Sequence, residues 1–328
     1  MKTKLSLILT AITLALSTSA YAEVKIALVA KSLGNGFFEA ANVGAQEAAK
    51  ELGDVKVIYT GPTTTTAEAQ IEVLNGLIAQ GVDAIAISAN DPDALVPVLK
   101  KAMQRGIKVV SWDSGVAPAG RQIHLTPSNN ELIGEINVKL ADDALKALNT
   151  DKGDVAILSA TPTSTNQNIW IGEMKKVLPK YPGINLVAVA YGDDLSDKSY
   201  RETVGLLKTY PDLKVIVSPS SVGIVAAAQA VKDQGKIGKV YVTGLGLPSE
   251  MAGAVKSGAS KSFAIWNPID LGYAATYLAN DLVKGTATKS EADMGRMGKL
   301  KLDNEGNGAM AEPFIYDASN IDQFSKIF

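Results

Sequence analysis

Asp113 closes the run VVSWD, and a carboxylate at a strand's end can accept hydrogen bonds from two neighbouring hydroxyls. Charge-assisted bonds of this type are the strong ones. The stretch TPTSTNQNIW (161–170) is dense in side chains that both donate and accept. Asn166 and Gln167 in it suit a polyol, whose hydroxyls do both. Trp170 lies one helical turn beyond Asn166 and points the same way. KSLGNGFF (31–38) offers Lys31 as a donor and Phe37 and Phe38 as flat apolar surfaces, with one ring expected to pack inward and the other to line a cleft. Trp266-Asn267-Pro268-Ile269-Asp270 puts a second large aromatic, Trp266, and a second carboxylate, Asp270, beside another apolar run.

Other chemistries lack their parts. A dinucleotide loop needs G-x-G-x-x-G, and Gly34-Asn35-Gly36 is followed by Glu39 where the third glycine belongs, so its charge would face phosphate. No Walker motif is present. The one histidine, His124, has no Ser or Cys nucleophile signature near it and reads as a structural residue between domains. Zinc ligands are missing. DNEGNGAMAEPF (303–314) begins like a calcium loop but ends on Phe314 where a bidentate Glu is required. Neither metal nor cofactor is expected, and binding without chemistry is the role left.

Those side chains need a scaffold, and its period is plain. VKIALVA (24–30), VKVIYTG (55–61), DAIAISA (83–89) and IKVVSWD (107–113) alternate with helix-length stretches near 37–52, 66–80 and 92–104. A second series begins at DVAILSA (154–160) and continues through INLVAVAYG, LKVIVSP, KVYVTGL and SFAIW, after RQIHLTPSNN breaks the period. Continuous Val/Ile/Ala runs between helices imply parallel sheets covered on both faces, here an α/β chain of two similar halves. KLKLD and FIYDAS near the end are expected to return and cap a sheet. Open parallel sheets bind ligands beyond the carboxyl ends of their strands, which adds Asn90 and the Pro219–Ser221 corner to the candidates.

Composition narrows the partners. In 328 residues, 46% are apolar and 32 Lys+Arg stand against 34 Asp+Glu, a balance that offers no field for nucleic acid. Lys2 and Lys4, the apolar LSLILTAITLALSTS and Ala20-Tyr21-Ala22 read as a signal peptide, residues 1–22, cleaved after Ala22. The absence of cysteine excludes a lipid-anchored N-terminal Cys and any disulfide. A soluble monomer in a Gram-negative periplasm is expected.

VKIALVAKSLGNGFFEAANVGAQEAAKEL and GVDAIAISANDPDALVPVLKKAMQRGIKVVSWDSG carry a resemblance to the type I periplasmic sugar-binding proteins, the substrate receptors of ABC importers. It runs over the whole chain after the leader. TSTNQNIWIGEMKKVLP, SSVGIVAAAQAV, GLGLPSEMAGAVKSGASKSFAIWNPIDLGYAAT and DASNIDQF look most like the rhamnose receptors and, less closely, the autoinducer-2 receptors. The resemblance implies two Rossmann-like lobes joined by a three-strand hinge, 23–126 plus 267–296 and 127–266 plus 297–328. It implies Lys31 and Asp113 as ligand contacts from the first lobe, with Gln167 and the backbone at Pro219 and Ser221 from the second. Autoinducer-2 receptors pair that glutamine with an aspartate, where this chain has Asn166, and usually carry a smaller apolar residue in place of Ser221. Ribose and galactose receptors carry Arg and Asp where Ser114 and Gly246 stand. The implied function is periplasmic capture of a 6-deoxyhexose, L-rhamnose first, for an ABC permease. The alternative is an autoinducer-2 receptor for uptake or for a chemoreceptor.

Overall fold

A computed structural model describes residues 23–328; the expected signal peptide lies outside the described residues. Five of the six parallel strands of the first sheet come in succession: β1 (Val24–Val29), β2 (Val55–Thr60), β3 (Ala84–Ile87), β4 (Lys108–Trp112) and β5 (Ile123–Thr126), in the order 2-1-3-4-5. Successive side chains point to opposite faces of a strand, so one sheet serves two cores. Ile26, Leu28, Ala84, Ala86, Val110 and Trp112 face one core, and Ala27, Val29, Ile85, Ile87 and Val109 face the other. Such strands must read as unbroken apolar runs, and this is why the period was legible.

The second sheet repeats the plan with β6 (Gly153–Ser159), β7 (Ile184–Tyr191), β8 (Leu213–Ser218) and β9 (Tyr241–Gly244), in the order 7-6-8-9. Ala156, Leu158 and Ile216 face one side, and Val155, Ile157, Val215 and Val217 the other. Leu245 bridges Ala264 of β10 (Ser262–Ile265), and this carries the order on to that strand.

Helices cover both sheets: α1 (Gly36–Leu52), α2 (Ala67–Gln80), α3 (Val96–Gln104), α4 (Asn130–Ala147), α5 (Thr165–Val177), α6 (Ser196–Thr209), α7 (Ser221–Asp233), α8 (Pro248–Ser257) and α9 (Pro268–Lys284). Among the described residues no helix is long and apolar enough to cross a membrane. Side-chain caps start several of the helices, as this residue type does at helix N-termini: Asn35 for α1, Thr66 for α2, Asn129 for α4, Ser220 for α7 and Asn267 for α9. The helix α9 returns to the first sheet and packs along α1. Their axes approach closely because Gly44 and Gly272 lack side chains. A Cβ on Gly44 would lie 1.7 Å from the Ile269 carbonyl oxygen, and one on Gly272 would lie 1.9 Å from that of Ala41.

Two elements escaped the sequence reading. Residues 123–126 form the buried fifth strand and not an interruption, so His124 belongs to the first sheet rather than to an interdomain link. Four residues with a histidine among them, between Pro118 and Pro127, are too short to show a period. The helix α4 was also missed. Its charged NELIGEINVKLADDALKA buries only one stripe, led by Ile133, Leu140 and Leu145.

The expected end of the first lobe at 296 is also wrong. After the two-stranded β11 (Glu291–Asp293) and β12 (Lys299–Lys301), β13 (Asn307–Ala309) pairs with β5 inside the first sheet. Only then does β14 (Phe314–Asp317) join β10, antiparallel, capping the second sheet as expected. The chain therefore passes between the sheets at 127–129, at 266–267 and, third, at 310–313. The tail was misplaced because β12 and β13 are three-residue strands with one buried residue each, which carry no readable alternation.

Candidate functional site

The carboxyl ends of both sheets face each other across a narrow cleft lined by polar and aromatic side chains. All the expected site residues line it except Asn90 and Asp270; Lys31, Phe37, Phe38 and Asp113 come from the first lobe. Asn166, Gln167, Trp170, Pro219 and Ser221 come from the second, with Trp266 at the crossing.

Asp113 follows β4 with φ +58°, a left-handed conformation that Asp tolerates better than most residues. Its Oδ2 accepts from Ser88 Oγ at 2.8 Å and its Oδ1 from Asn166 Nδ2 at 3.0 Å, across the cleft. Burial pushes the Asp113 carboxyl above the usual carboxylate range; the Lys31 charge and these two bonds pull it back, while Asp194 adds to the rise. Lys31, only 3% exposed, sends Nζ across to Ser164 Oγ at 2.9 Å and Asn166 Oδ1 at 3.0 Å. The lobes are thus latched by an Asp–Asn–Lys chain on the cavity wall.

Gln167 stands in the first turn of α5. Its Oε1 accepts from Ser159 Oγ and from the Ala160 backbone N–H, each at 2.8 Å. With its oxygen so fixed, the amide presents its two N–H donors to the cavity. Asn35 is arranged likewise: Oδ1 caps α1 through Phe37 N at 3.0 Å, which leaves the amide nitrogen available. Asn35 went unnoticed in the sequence, where it stood only as the middle residue of Gly34-Asn35-Gly36.

The aromatic wall is continuous. Phe37 meets Trp266 edge-on at 6.3 Å, Trp266 meets Trp170 at 5.6 Å, and Phe38 meets Trp112 at 5.7 Å. Each such pair contributes about 0.5–1.5 kcal/mol beyond burial, so the wall is rigid before any ligand arrives. The expected division of labour between the phenylalanines does not hold. Both are buried, at 6% and 2% exposure, and both line the cavity, because α1 starts at Gly36 and turns its first two side chains to the same junction. Leu245, just after β9, and Ile265, the last residue of β10, also line the cavity.

The glycines of the opening loop have another use than holding phosphate. Gly34 adopts φ +79°, and a Cβ on Gly36 would lie 2.3 Å from Glu250 Oε1 and 3.2 Å from Leu247 Cδ1 of the second lobe. Gly36 lets the two lobes approach closely at this point.

Two candidates sit elsewhere. Asn90, 2% exposed, braces the loop behind the wall: its Nδ2 donates to the Lys31 carbonyl at 2.9 Å, and its own carbonyl accepts from Thr163 Oγ1 at 3.0 Å. Asp270 lies in the first turn of α9 on the outer surface. There it accepts from Arg296 Nη2 and from Asn267 Nδ2, both at 2.9 Å. A strand-end position fixes the backbone near the cleft but not the direction of the side chain. Asp194, which also lines the cavity, lies in the loop after β7, the one strand-end loop that the sequence reading did not search.

Comparison with known proteins agrees with this architecture. Residues 26–287 match the periplasmic binding protein domain family. The D-ribose/D-allose-binding protein of Pseudomonas aeruginosa is 31% identical over 234 residues, 67% of this chain and 70% of that protein. A solute-binding protein of an ABC transporter from Clostridium phytofermentas, solved with bound L-rhamnose, is 37% identical with a TM-score of 0.85, over 94% of this chain and all of the other. LsrB from Clostridium saccharobutylicum, solved with AI-2, is 26% identical with a TM-score of 0.88, over 92% of this chain and 99% of the other. The chain belongs to the periplasmic binding protein family, whose members are solute receptors and not enzymes.

Proposed function

We propose that this chain is the periplasmic receptor of an ABC sugar importer and that its ligand is a 6-deoxyhexose, L-rhamnose first. One observation carries the reading: the interlobe cleft interleaves amide, ammonium and carboxylate groups with a wall of Phe37, Phe38, Trp170 and Trp266. A sugar ring needs both surfaces, since its hydroxyls donate and accept while its C–H face is apolar. Asp113, Lys31 and Gln167 serve the hydroxyls, and the backbone at Pro219 and Ser221 closes the second-lobe side. The relative solved with L-rhamnose supports the choice of sugar. The lobes divide at the three crossings, and ligand bound between them favours the closed form by its differential affinity for it. The closed receptor then delivers the sugar to the permease, acting as a monomer exported by cleavage after Ala22. Intact mass of the periplasmic protein should start at Glu23; a retained leader or an acyl chain contradicts the export route.

The second reading, an autoinducer-2 receptor feeding uptake or a chemoreceptor, is favoured by the likeness to LsrB and by the placement of Lys31, Asp113 and Gln167. Asn166 weighs against it, standing where those receptors carry an aspartate. A thermal-shift panel separates the readings. L-rhamnose at a hundredfold excess over its dissociation constant stabilises by roughly 2.7 kcal/mol, a visible rise in melting temperature, while D-ribose, D-galactose and NAD leave it unchanged. A shift with autoinducer-2 alone selects the second reading.

A further inference from the structure

We infer that Asp194 is a ligand contact of the second lobe, so that the sugar is held between two carboxylates, Asp113 from one lobe and Asp194 from the other. The inference rests on the proposed sugar-receptor reading and deepens it. Asp194 lines the cavity. It and Asp193 are consecutive left-handed residues, φ +52° and +56°, a conformation that non-glycine residues keep only where the surroundings impose it. The loop is pinned: the Asp193 carbonyl accepts from Thr65 Oγ1 of the first lobe at 2.9 Å, and its carboxylate pairs with Lys198 at 2.6 Å.

Asp194 itself is aimed by Ser220. The Ser220 oxygen accepts from Gly223 N as the cap of α7, so its single proton is left to donate, and it goes to Asp194 Oδ1 at 2.5 Å. The other carboxylate oxygen, Oδ2, has no protein partner among the described residues. Asp113 lines the same cavity from the first lobe.

Two carboxylates against one buried lysine define the ligand class. Hydroxyl donors must face both lobes, and an acidic sugar such as a uronate or sugar phosphate meets net negative charge. Neutral polyols are therefore selected.

Titration calorimetry on the full-length mature protein tests this. The ligand is whichever of L-rhamnose, D-allose, D-arabinose and autoinducer-2 binds the wild type most tightly. If that ligand is not L-rhamnose, the rhamnose reading falls while Asp194 is still tested; if none binds, both fall. Asp194→Asn and Asp194→Ala should both weaken binding about ten- to hundredfold, with the ligand-free melting temperature nearly unchanged in Asp194→Asn, which keeps an acceptor for Ser220 and tolerates the left-handed backbone. Singly deoxygenated forms of the ligand supply the readout that a structural role would not move. One of them should lose affinity on the wild type but lose no more on Asp194→Ala. Near wild-type affinity in both variants, or additive losses for every deoxy form, overturns the assignment.

Discussion

Asp113 concentrates the conflict between stability and recognition. Burying a carboxylate is costly, and here the compensation comes from Ser88, Asn166 and Lys31 rather than from a direct ion pair. Its raised pKa fixes a sign. The folded state holds the proton more tightly than the unfolded one, so above the ordinary carboxylate value near 4 stability declines as pH rises towards the folded pKa. Asp113→Asn should remove that decline, and its melting temperature should gain on the wild type from about pH 4 to 7 while sugar affinity falls. Asp113→Ala should lose binding about a hundredfold or more, the equivalent of two charge-assisted bonds, while the chain stays folded. Melts and titrations of both variants check this; near wild-type affinity would remove Asp113 from the site. This residue was legible because VVSWD places a charge at a strand end. Asn90 and Asp270 occupy similar positions and misled, because only the folded chain shows Asn90 turned into the loop behind the wall and Asp270 turned out to Arg296.

Elements with an unbroken apolar run could be read, while short strands of mixed composition and the charged helix α4 could not. The strands β1, β3 and β8 announce themselves as apolar runs, whereas β5, β12 and β13 are three or four residues whose pairing is decided by tertiary contact. The consequence is greatest at His124 in β5. Burial, seconded by Arg121, lowers its pKa to about 4, against a bond to the Ser111 carbonyl and the charge of Asp303 that raise it. Here the sign is opposite to that of Asp113. The unfolded chain takes up the proton first, so stability is complete above about pH 6.5 and falls as pH drops towards 4, by on the order of 3 kcal/mol. Denaturant melts across that range should show the loss in the wild type and a shallower one in His124→Gln; parallel curves would contradict the buried neutral imidazole. The contact of α1 with α9 makes a second demand. Gly44→Ala and Gly272→Ala each push a methyl into a backbone carbonyl, and each should cost at least about 2 kcal/mol by chemical denaturation. A neutral substitution at either would show that the helices separate easily.

At the scale of the molecule, two sheets of like design are joined by three crossings, and every polar link of the latch joins residues far apart in sequence. Lys31 reaches Ser164 and Asn166, Asn166 reaches Asp113, and Thr165 Oγ1 reaches the Gly115 carbonyl at 2.9 Å. The same groups are the ones a sugar would engage, so ligand exchanges bonds with the latch rather than adding all of its own. A small molecule that engages these groups would thus bias rotation about the crossings by its differential affinity for the two arrangements. The two-lobed plan could be anticipated from the restart of the strand–helix period, but the third crossing could not, because nothing local in 297–309 says which sheet it joins. The account turns on a sugar closing this cleft, and calorimetric titration of L-rhamnose into the mature protein tests it most directly. It predicts saturable one-to-one binding with a negative heat-capacity change from the apolar wall taken out of water. No heat with L-rhamnose, alongside saturable binding of autoinducer-2, would contradict it.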